Sequence, residues 1–465
     1  MFRLIAVLVG PALLLLAELG CRLFGWGLPA NTDDPFVGFE SIVPLFVPDE
    51  AGEKMTIAEG RLRFFAPDSF PTAKAAGTFR IFCLGGSTVQ GRPFSIETSF
   101  PTWLELSLAA ADDSRSWEVV NCGGVSYASY RLVPILDECL QYEPDLILIC
   151  TGHNEFLEDR TYGELRDAGS LHRVLGRSRV YTLARSALAE SARHDRPVMA
   201  TDVQARLDYQ GGLASYHRDD QWHQTVQQHY ESNLRRMAQL VGGANVPVMF
   251  LMPPSNIADS PPFKSEPNPA VADDVRKLVR DAQARYRDNL NDAIALLEAA
   301  SELDPGDAAN WFELGRAHEA AGNIDAARLA FTKARDEDIC PLRMTTPLQD
   351  AWKRVVHDED VTGLDLDSYL TSKSRNSLLG NELLVDHIHP SFKGNQLIAN
   401  EIVRAMARAE FLTPRAGWEA SAQQKHAQHL KSLGNLYFLR GQRTLETLNE
   451  WARGRERNLP PLPGK

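Results

Sequence analysis

The feature that most constrains this chain is a series of short apolar runs separated by stretches patterned for helices. Residues 78–84 (T-F-R-I-F-C-L), 117–121, 145–150 (D-L-I-L-I-C), 246–252 (V-P-V-M-F-L-M) and 361–364 read as strands. Residues 99–111, 130–141 and 221–241 read as helices. Strands that are continuously apolar rather than alternating are buried on both faces, and helices between them are the crossovers that parallel strands require. The pattern predicts an α/β fold: a three-layer α/β/α arrangement around a parallel sheet. In such sheets reactive groups collect in the loops after the carboxyl ends of the strands.

At 465 residues the chain exceeds what one hydrophobic core usually organises, which predicts a second unit or a large insertion. Forty-nine basic against sixty-one acidic residues leave a net charge of −12. That balance repels phosphate backbones and excludes nucleic acid as a partner. The cysteines, Cys21, Cys83, Cys122, Cys139, Cys150 and Cys340, contain no C-x-x-C pair and read mostly as packed thiols, with Cys122 and Cys139 close enough in sequence to pair in an oxidising compartment. At the N-terminus Arg3 precedes an apolar run over residues 4–17, then Glu18, Arg22 and a second apolar cluster at 23–28. No small-residue cleavage site follows the run, so an uncleaved N-terminal membrane helix is the favoured expectation. Arg3 would stay inside and the remaining chain would face outward, in the periplasm or at the cell surface.

The expected organisation is 1–28 as membrane anchor or signal, 29–77 as a stalk or wrapping arm rich in Pro, Asp and Gly, and 78–266 as the first part of the α/β domain. Residues 267–342 form a helical insertion, 343–412 the second part of the α/β domain, and 413–465 a helical tail that packs on the insertion. Residues 161–220 form an irregular excursion, a candidate lid. Within the insertion Trp311, Leu314, Gly315, Gly322, Ala327, Phe331 and Ala334 resemble the tetratricopeptide repeat signature, with Ala293, Leu297, Ala300 and Pro305 one period earlier and a weaker echo at Leu433, Gly434, Tyr437 and Gly441. That resemblance implies an all-α segment and a protein partner for it.

Chemistry concentrates at strand ends. Gly85-Gly86-Ser87-Thr88 follows the first strand as a tight turn presenting a hydroxyl; alone, such a string is commonly only a turn or helix cap. Asp386-His387-Ile388-His389-Pro390 precedes a helix that begins near residue 393. A serine nucleophile needs a base to take its proton, and that imidazole needs an acceptor to fix its tautomer; His389 and Asp386 supply both. The competing reading is a turn cap with a surface or metal-binding histidine. Two further loops, 121–127 (N-C-G-G-V-S-Y) and 151–155 (T-G-H-N-E), offer amide donors for an oxyanion, with Asn154 also suited to capping a helix.

Taken in order, these four elements resemble the four blocks of the SGNH hydrolases, a branch of the GDSL esterases. The resemblance spans residues 78–411 apart from the insertion. It implies that Ser87 is the nucleophile, Asp386 and His389 its partners, and Asn154 an oxyanion donor. The first block reads G-G-S-T instead of G-D-S-L. The family's N-x-x-x-x-G spacing, counted from Asn121, lands on Ser126, so Ser126 ranks first and Gly124 second for the remaining donor. The implied activity is hydrolysis of an ester with no cofactor and no metal; the expected outward location makes an O-acyl group, acetyl ahead of longer chains, on a cell-surface glycan or lipid the expected substrate. An interaction scaffold built on the insertion, or an O-acyltransferase on the same fold, is the alternative. Tyr127, Tyr130 and Arg131 line the cleft or pack beneath the loop, and Ser255 or Asn256 touches substrate or only forms a turn. His217, His223 and His229 recur every six residues, a helical rotation of about 240°. They share no face and read as solvated rather than as metal ligands. Glu155, Glu158 and Asp159 read as first-turn helix charges.

Overall fold

The structure is a computed structural model and describes residues 13–21, 23, 26, 34, 36–160, 178–181, 183, 198–208 and 212–456. Its centre is a five-stranded sheet: β1 Thr78–Gly85, β2 Ser116–Gly123, β3 Leu146–Cys150, β4 Val248–Met252 and β5 Thr362–Asp365. Every pairing is parallel and the spatial order is β2-β1-β3-β4-β5. This is a doubly wound sheet whose order reverses between β1 and β3.

Helices among the described residues include α1 Ser87–Gln90, α2 Phe100–Ala111, α3 Ser129–Cys139, α4 Asp220–Ala244, α5 Ala272–Arg285, α6 Leu290–Leu303, α7 Ala308–Ala320, α8 Ile324–Asp336, α9 Thr346–Asp358, α10 Leu366–Lys373, α11 Phe392–Arg408, α12 Trp418–Ser432 and α13 Asn435–Glu456. Strand side chains alternate between the two faces. On one face Phe82, Leu84, Ile147, Ile149 and Phe250 pack against Leu132 and Leu136 of α3, Tyr230 and Met237 of α4, and Leu348 and Val355 of α9. On the other, Ile81, Cys83, Leu148, Met249 and Leu251 pack against Trp103 and Leu108 of α2, Leu370 of α10, and Ile398, Ile402 and Met406 of α11. The three-layer expectation describes this arrangement.

Elsewhere the structure adds to or departs from the expectations. Of the two readings of the segment before β1, the described residues fit a wrapping arm. Its short strands Phe46–Pro48, Lys54–Ile57 and Ser69–Pro71 form an antiparallel sheet that wraps the core, with Phe46 and Phe70 edge-on to each other and to Phe82. Much of the candidate lid lies outside the described residues, as do residues 1–12 of the expected membrane helix. Among the described residues no helix is long and apolar enough to cross a membrane. The insertion forms α5 to α8. Gly315 of α7 lies so close to α8 that a Cβ there would sit 2.6 Å from the Phe331 ring, which explains the small residue at that signature position. The C-terminal helices dock on the α/β domain rather than on the insertion: His426 of α12 bonds Ser107 of α2 at 2.9 Å, and Tyr437 of α13 bonds Thr98 at 2.6 Å. Cys122 and Cys139 are free thiols with sulfurs 3.8 Å apart.

Candidate active site

Register aligns the site. Gly85 at the end of β1 pairs with Gly123 of β2 and with Cys150 of β3, so the three following loops emerge side by side at the reversal of strand order. The first loop is only Gly86, after which α1 starts at Ser87. The first amides of a helix have no intrahelical acceptor. Neither Ser87 nor Thr88 donates its amide to any carbonyl among the described residues, which leaves the Ser87 N–H beside its own hydroxyl.

The Asp-x-x-His spacing has a local reason. One carboxylate oxygen of Asp386, Oδ1, accepts the main-chain N–H groups of Ile388 (2.9 Å) and His389 (2.8 Å), closing a turn of the kind short carboxylates stabilise. The other oxygen, Oδ2, lies 2.6 Å from His389 Nδ1. The His389 main chain then bonds back to Val385 (2.8 Å), and Ser391 caps α11 through the Gly394 amide (3.2 Å). Held this way, His389 Nε2 lies 2.7 Å from Ser87 Oγ. Burial by itself would raise the Asp386 carboxyl. The facing imidazoles of His389 and His387 and the hydrogen bonds from His389 outweigh it and hold that carboxyl well below the usual range. Asp386 is therefore an anion aimed at the far nitrogen of the base, which places the His389 proton on Nδ1 and leaves Nε2 to accept from Ser87.

Beside Ser87 lies a cavity of about 210 Å³ walled by Gly86, Tyr127, His153, Asn154 and Ile388 among others. Asn154 Nδ2 donates to the Tyr127 carbonyl at 3.0 Å, and a Cβ on Gly86 would fall 2.7 Å from that nitrogen. The amide group is thus pinned against the Ser87 turn. Among the described residues no helix starts at Asn154, which sits in a bend ahead of a turn and so caps none. Gly124 is a correction: its N–H donates to the Gly85 carbonyl at 2.9 Å, extending the ladder between β1 and β2, and is not available to an oxyanion. Ser126 has the left-handed backbone (φ 65°) that a glycine at this place would adopt easily, and its amide makes no bond among the described residues, yet the residue does not line the cavity. The Ser87 amide, which the residue spacing did not point to, makes no main-chain bond among the described residues and belongs to a residue that lines the cavity. The signal for it was the helix start at Ser87.

Other expectations are corrected by burial. Glu155 and Glu158 are enclosed. Glu155 accepts from the Ser129 amide (2.8 Å) and hydroxyl (2.9 Å) at the start of α3, while Glu158 pairs with Arg131 at 2.6 Å and bonds the Tyr130 hydroxyl. His229 is also enclosed, within 3.1 Å of Asp34, and burial pushes its imidazole pKa down. Tyr130 and Arg131 belong to this packed layer, whereas Tyr127 lines the cavity. His153, buried next to Asn154, accepts the Met344 amide on Nδ1 (3.1 Å). Burial and the nearby His387 and His389 keep its pKa well down, so this ring is neutral. Among the described residues no group of three or more His, Cys, Asp or Glu is disposed to hold a metal ion.

Fold and site together define an α/β protein in which Ser87, His389 and Asp386 form a hydrogen-bonded line at the carboxyl edge of a doubly wound sheet. In its ordered motifs the chain resembles the SGNH/GDSL hydrolases, and residues 284–338 match the tetratricopeptide repeat family. Among solved structures, the lipase/acylhydrolase from Enterococcus faecalis is similar at 12% identity, covering 70% of this chain and 95% of that one, with a TM-score of 0.32. Axe2, an acetylxylan esterase from Geobacillus stearothermophilus, is similar at 12% identity over 70% of this chain and 94% of its own, with a TM-score of 0.30. LAE5, an alpha/beta hydrolase enzyme from the metagenome of Lake Arreo, is similar at 14% identity over 72% and 97%, with a TM-score of 0.32. No curated protein matches the chain. At these identities and scores the chemistry must be read from this chain's own side chains.

Proposed function

We propose that the protein is a serine esterase that removes short O-acyl groups, acetyl first among them, from a glycan or lipid. The observation that carries this reading is the hydrogen-bonded line from Asp386 through His389 to Ser87, 2.6 and 2.7 Å long, opening onto a small cavity. Ser87 Oγ attacks the acyl carbonyl carbon as its proton passes to His389 Nε2. Asp386 stabilises the imidazolium. The carbonyl oxygen becomes an oxyanion that accepts from Asn154 Nδ2 and the Ser87 amide. Collapse breaks the ester bond, and the alcohol leaves with the proton from His389. Water, deprotonated by the same imidazole, then releases the acid and restores Ser87.

Acyl size follows from the walls. The space beside Ser87 is small and lined by Tyr127, His153 and Ile388, which favours two carbons over a fatty chain. The alcohol part extends toward a second cleft of about 380 Å³ that shares Tyr127 and includes Arg61, Ser41 and Thr201. The tetratricopeptide segment supports a protein partner as a second role. Attachment to a membrane, with the α/β domain outward, is part of the same proposal. It is supported by Leu13, Leu14, Leu15 and Leu16, all exposed on the described helix at 13–21, where a covering of some kind is required. The test is labelling of the protein with a fluorophosphonate and hydrolysis of p-nitrophenyl acetate, with Ser87→Ala beside wild type. Labelling and turnover in wild type alone are expected; hydrolysis that survives Ser87→Ala would overturn the reading.

A further inference from the structure

The tetratricopeptide insertion ends in a turn that reaches directly behind the triad. Asn256, fully buried after β4, donates its main-chain N–H to the His387 carbonyl (3.0 Å) and its Nδ2 to the Asp386 carbonyl (3.0 Å) and to Asn381 (2.9 Å). It therefore holds the main-chain carbonyls of Asp386 and His387, the first two of the Asp-His loop. Its own carbonyl accepts Arg343 Nη1 at 2.9 Å, and the same nitrogen donates to the Ser260 carbonyl at 2.5 Å. Arg343 is itself buried and faces Asp338 at 3.5 Å, whose carboxylate accepts the amides of Phe263 (2.8 Å), Lys264 (3.0 Å) and Cys340 (3.0 Å). The next residue serves the other half of the site. Met344 donates its amide to His153, and its sulfur would stand 2.8 Å from a Cβ on Gly152, the residues immediately before Asn154.

We infer that Asn256 and Arg343 are positioning residues that set the register between the Asp386–His389 loop and the Asn154 loop, so that the exit turn of the insertion is a built-in part of the active site. The inference rests on the esterase reading. Neither residue touches substrate; each acts through main-chain atoms that carry the triad and the oxyanion donor. A buried guanidinium that satisfies several carbonyls fixes relative position more tightly than apolar packing, because those carbonyls would otherwise be orphaned. One consequence concerns experiments on the insertion. Deleting residues 267–342 removes Asp338 and strands Arg343, so loss of activity on deletion does not separate a partner-binding role from this one.

The test uses the full chain and compares Asn256→Ala, Arg343→Met, the double variant and Arg343→Lys in turnover of p-nitrophenyl acetate, fluorophosphonate labelling rate and melting temperature. Displacement of reacting groups by about 1 Å costs on the order of 10²-fold. The expected result is a fall in kcat and labelling of roughly 10–10²-fold with KM changed by less than about threefold. The double variant should be no slower than the worse single one, because both act on one register, and Arg343→Lys should recover part of the loss. Leu108→Ala, which empties a core position in α2 far from the site, serves as the stability control: it should lower the melting temperature while kcat stays at the wild-type value. Wild-type kcat in Asn256→Ala or Arg343→Met, or multiplicative losses in the double variant, would overturn the inference. Should Arg343→Met not fold, Asn256→Ala decides alone. Wild type that neither labels nor turns over would instead sink the esterase reading itself.

Discussion

Gly86→Ala is the sharpest perturbation of the oxyanion arrangement because it retains every side chain of the site and displaces only one of them. The Gly86 backbone is extended (φ −86°, ψ −157°), outside the left-handed region that favours glycine. The new methyl would stand 2.7 Å from Asn154 Nδ2, whereas ordinary contact begins at 3.4 Å, so the amide must retreat by about 0.7 Å. The Tyr127 carbonyl, next nearest at 3.5 Å, need not move. Since a 1 Å misplacement costs on the order of 10²-fold, a retreat of this size should lower kcat by roughly 10–10²-fold, or about 1.4–2.7 kcal/mol. Removing the donor in Asn154→Ala should cost more, about 10²–10³-fold. Steady-state hydrolysis of p-nitrophenyl acetate gives both values, and thermal melting checks that the fold persists. Because both substitutions act through one donor, Gly86→Ala combined with Asn154→Ala should be no slower than Asn154→Ala by itself. A Gly86→Ala enzyme within threefold of wild type, or losses that multiply in the double variant, would refute the assignment of Asn154 to the oxyanion.

Asp386→Asn should keep the turn, since its Oδ1 still accepts the Ile388 and His389 amides, but should present the wrong partner to His389 Nδ1; kcat is expected to fall roughly 10⁴-fold, read in the same assay. Glu313, buried in α7, has its carboxyl pushed up to about 7 by burial. The folded chain then binds a proton that the unfolded chain releases near pH 4.3, so this group favours folding below that pH and the contribution is lost as pH rises through about 7. Glu313→Gln should therefore raise the melting temperature at pH 8 and leave it nearly unchanged at pH 4, and an equal gain at both pH values would contradict the assignment.

How far the residues themselves disclosed this molecule depends on how local each cause was. The strands were legible because an eight-residue run such as Thr78–Gly85 carries its burial on both faces in its composition. The spacing from Asp386 to His389 was legible because one side chain both closes the turn and meets the ring. The repeat was legible in Gly315 and Phe331, whose sizes are set by each other. What stayed hidden depended on distant partners. Gly124 looked like a donor until the Gly85 carbonyl, supplied by a neighbouring strand, took its amide. Glu155 looked like a helix-start charge, but its partner is Ser129, 26 positions earlier. His229 looked solvated because nothing near it in the chain announces Asp34, 195 positions away. The docking of α12 was misread for the same reason: His426 meets Ser107 across 319 positions.

The separation of 302 positions between Ser87 and His389 also imposes a schedule on synthesis. At about 5–20 residues per second a ribosome needs roughly 15–60 s to travel from Ser87 to His389. The strand edge that displays Ser87 and the whole repeat are made before the imidazole exists. The growing polypeptide thus carries the Ser87 hydroxyl without its imidazole partner until His389 emerges and α11 closes against the sheet.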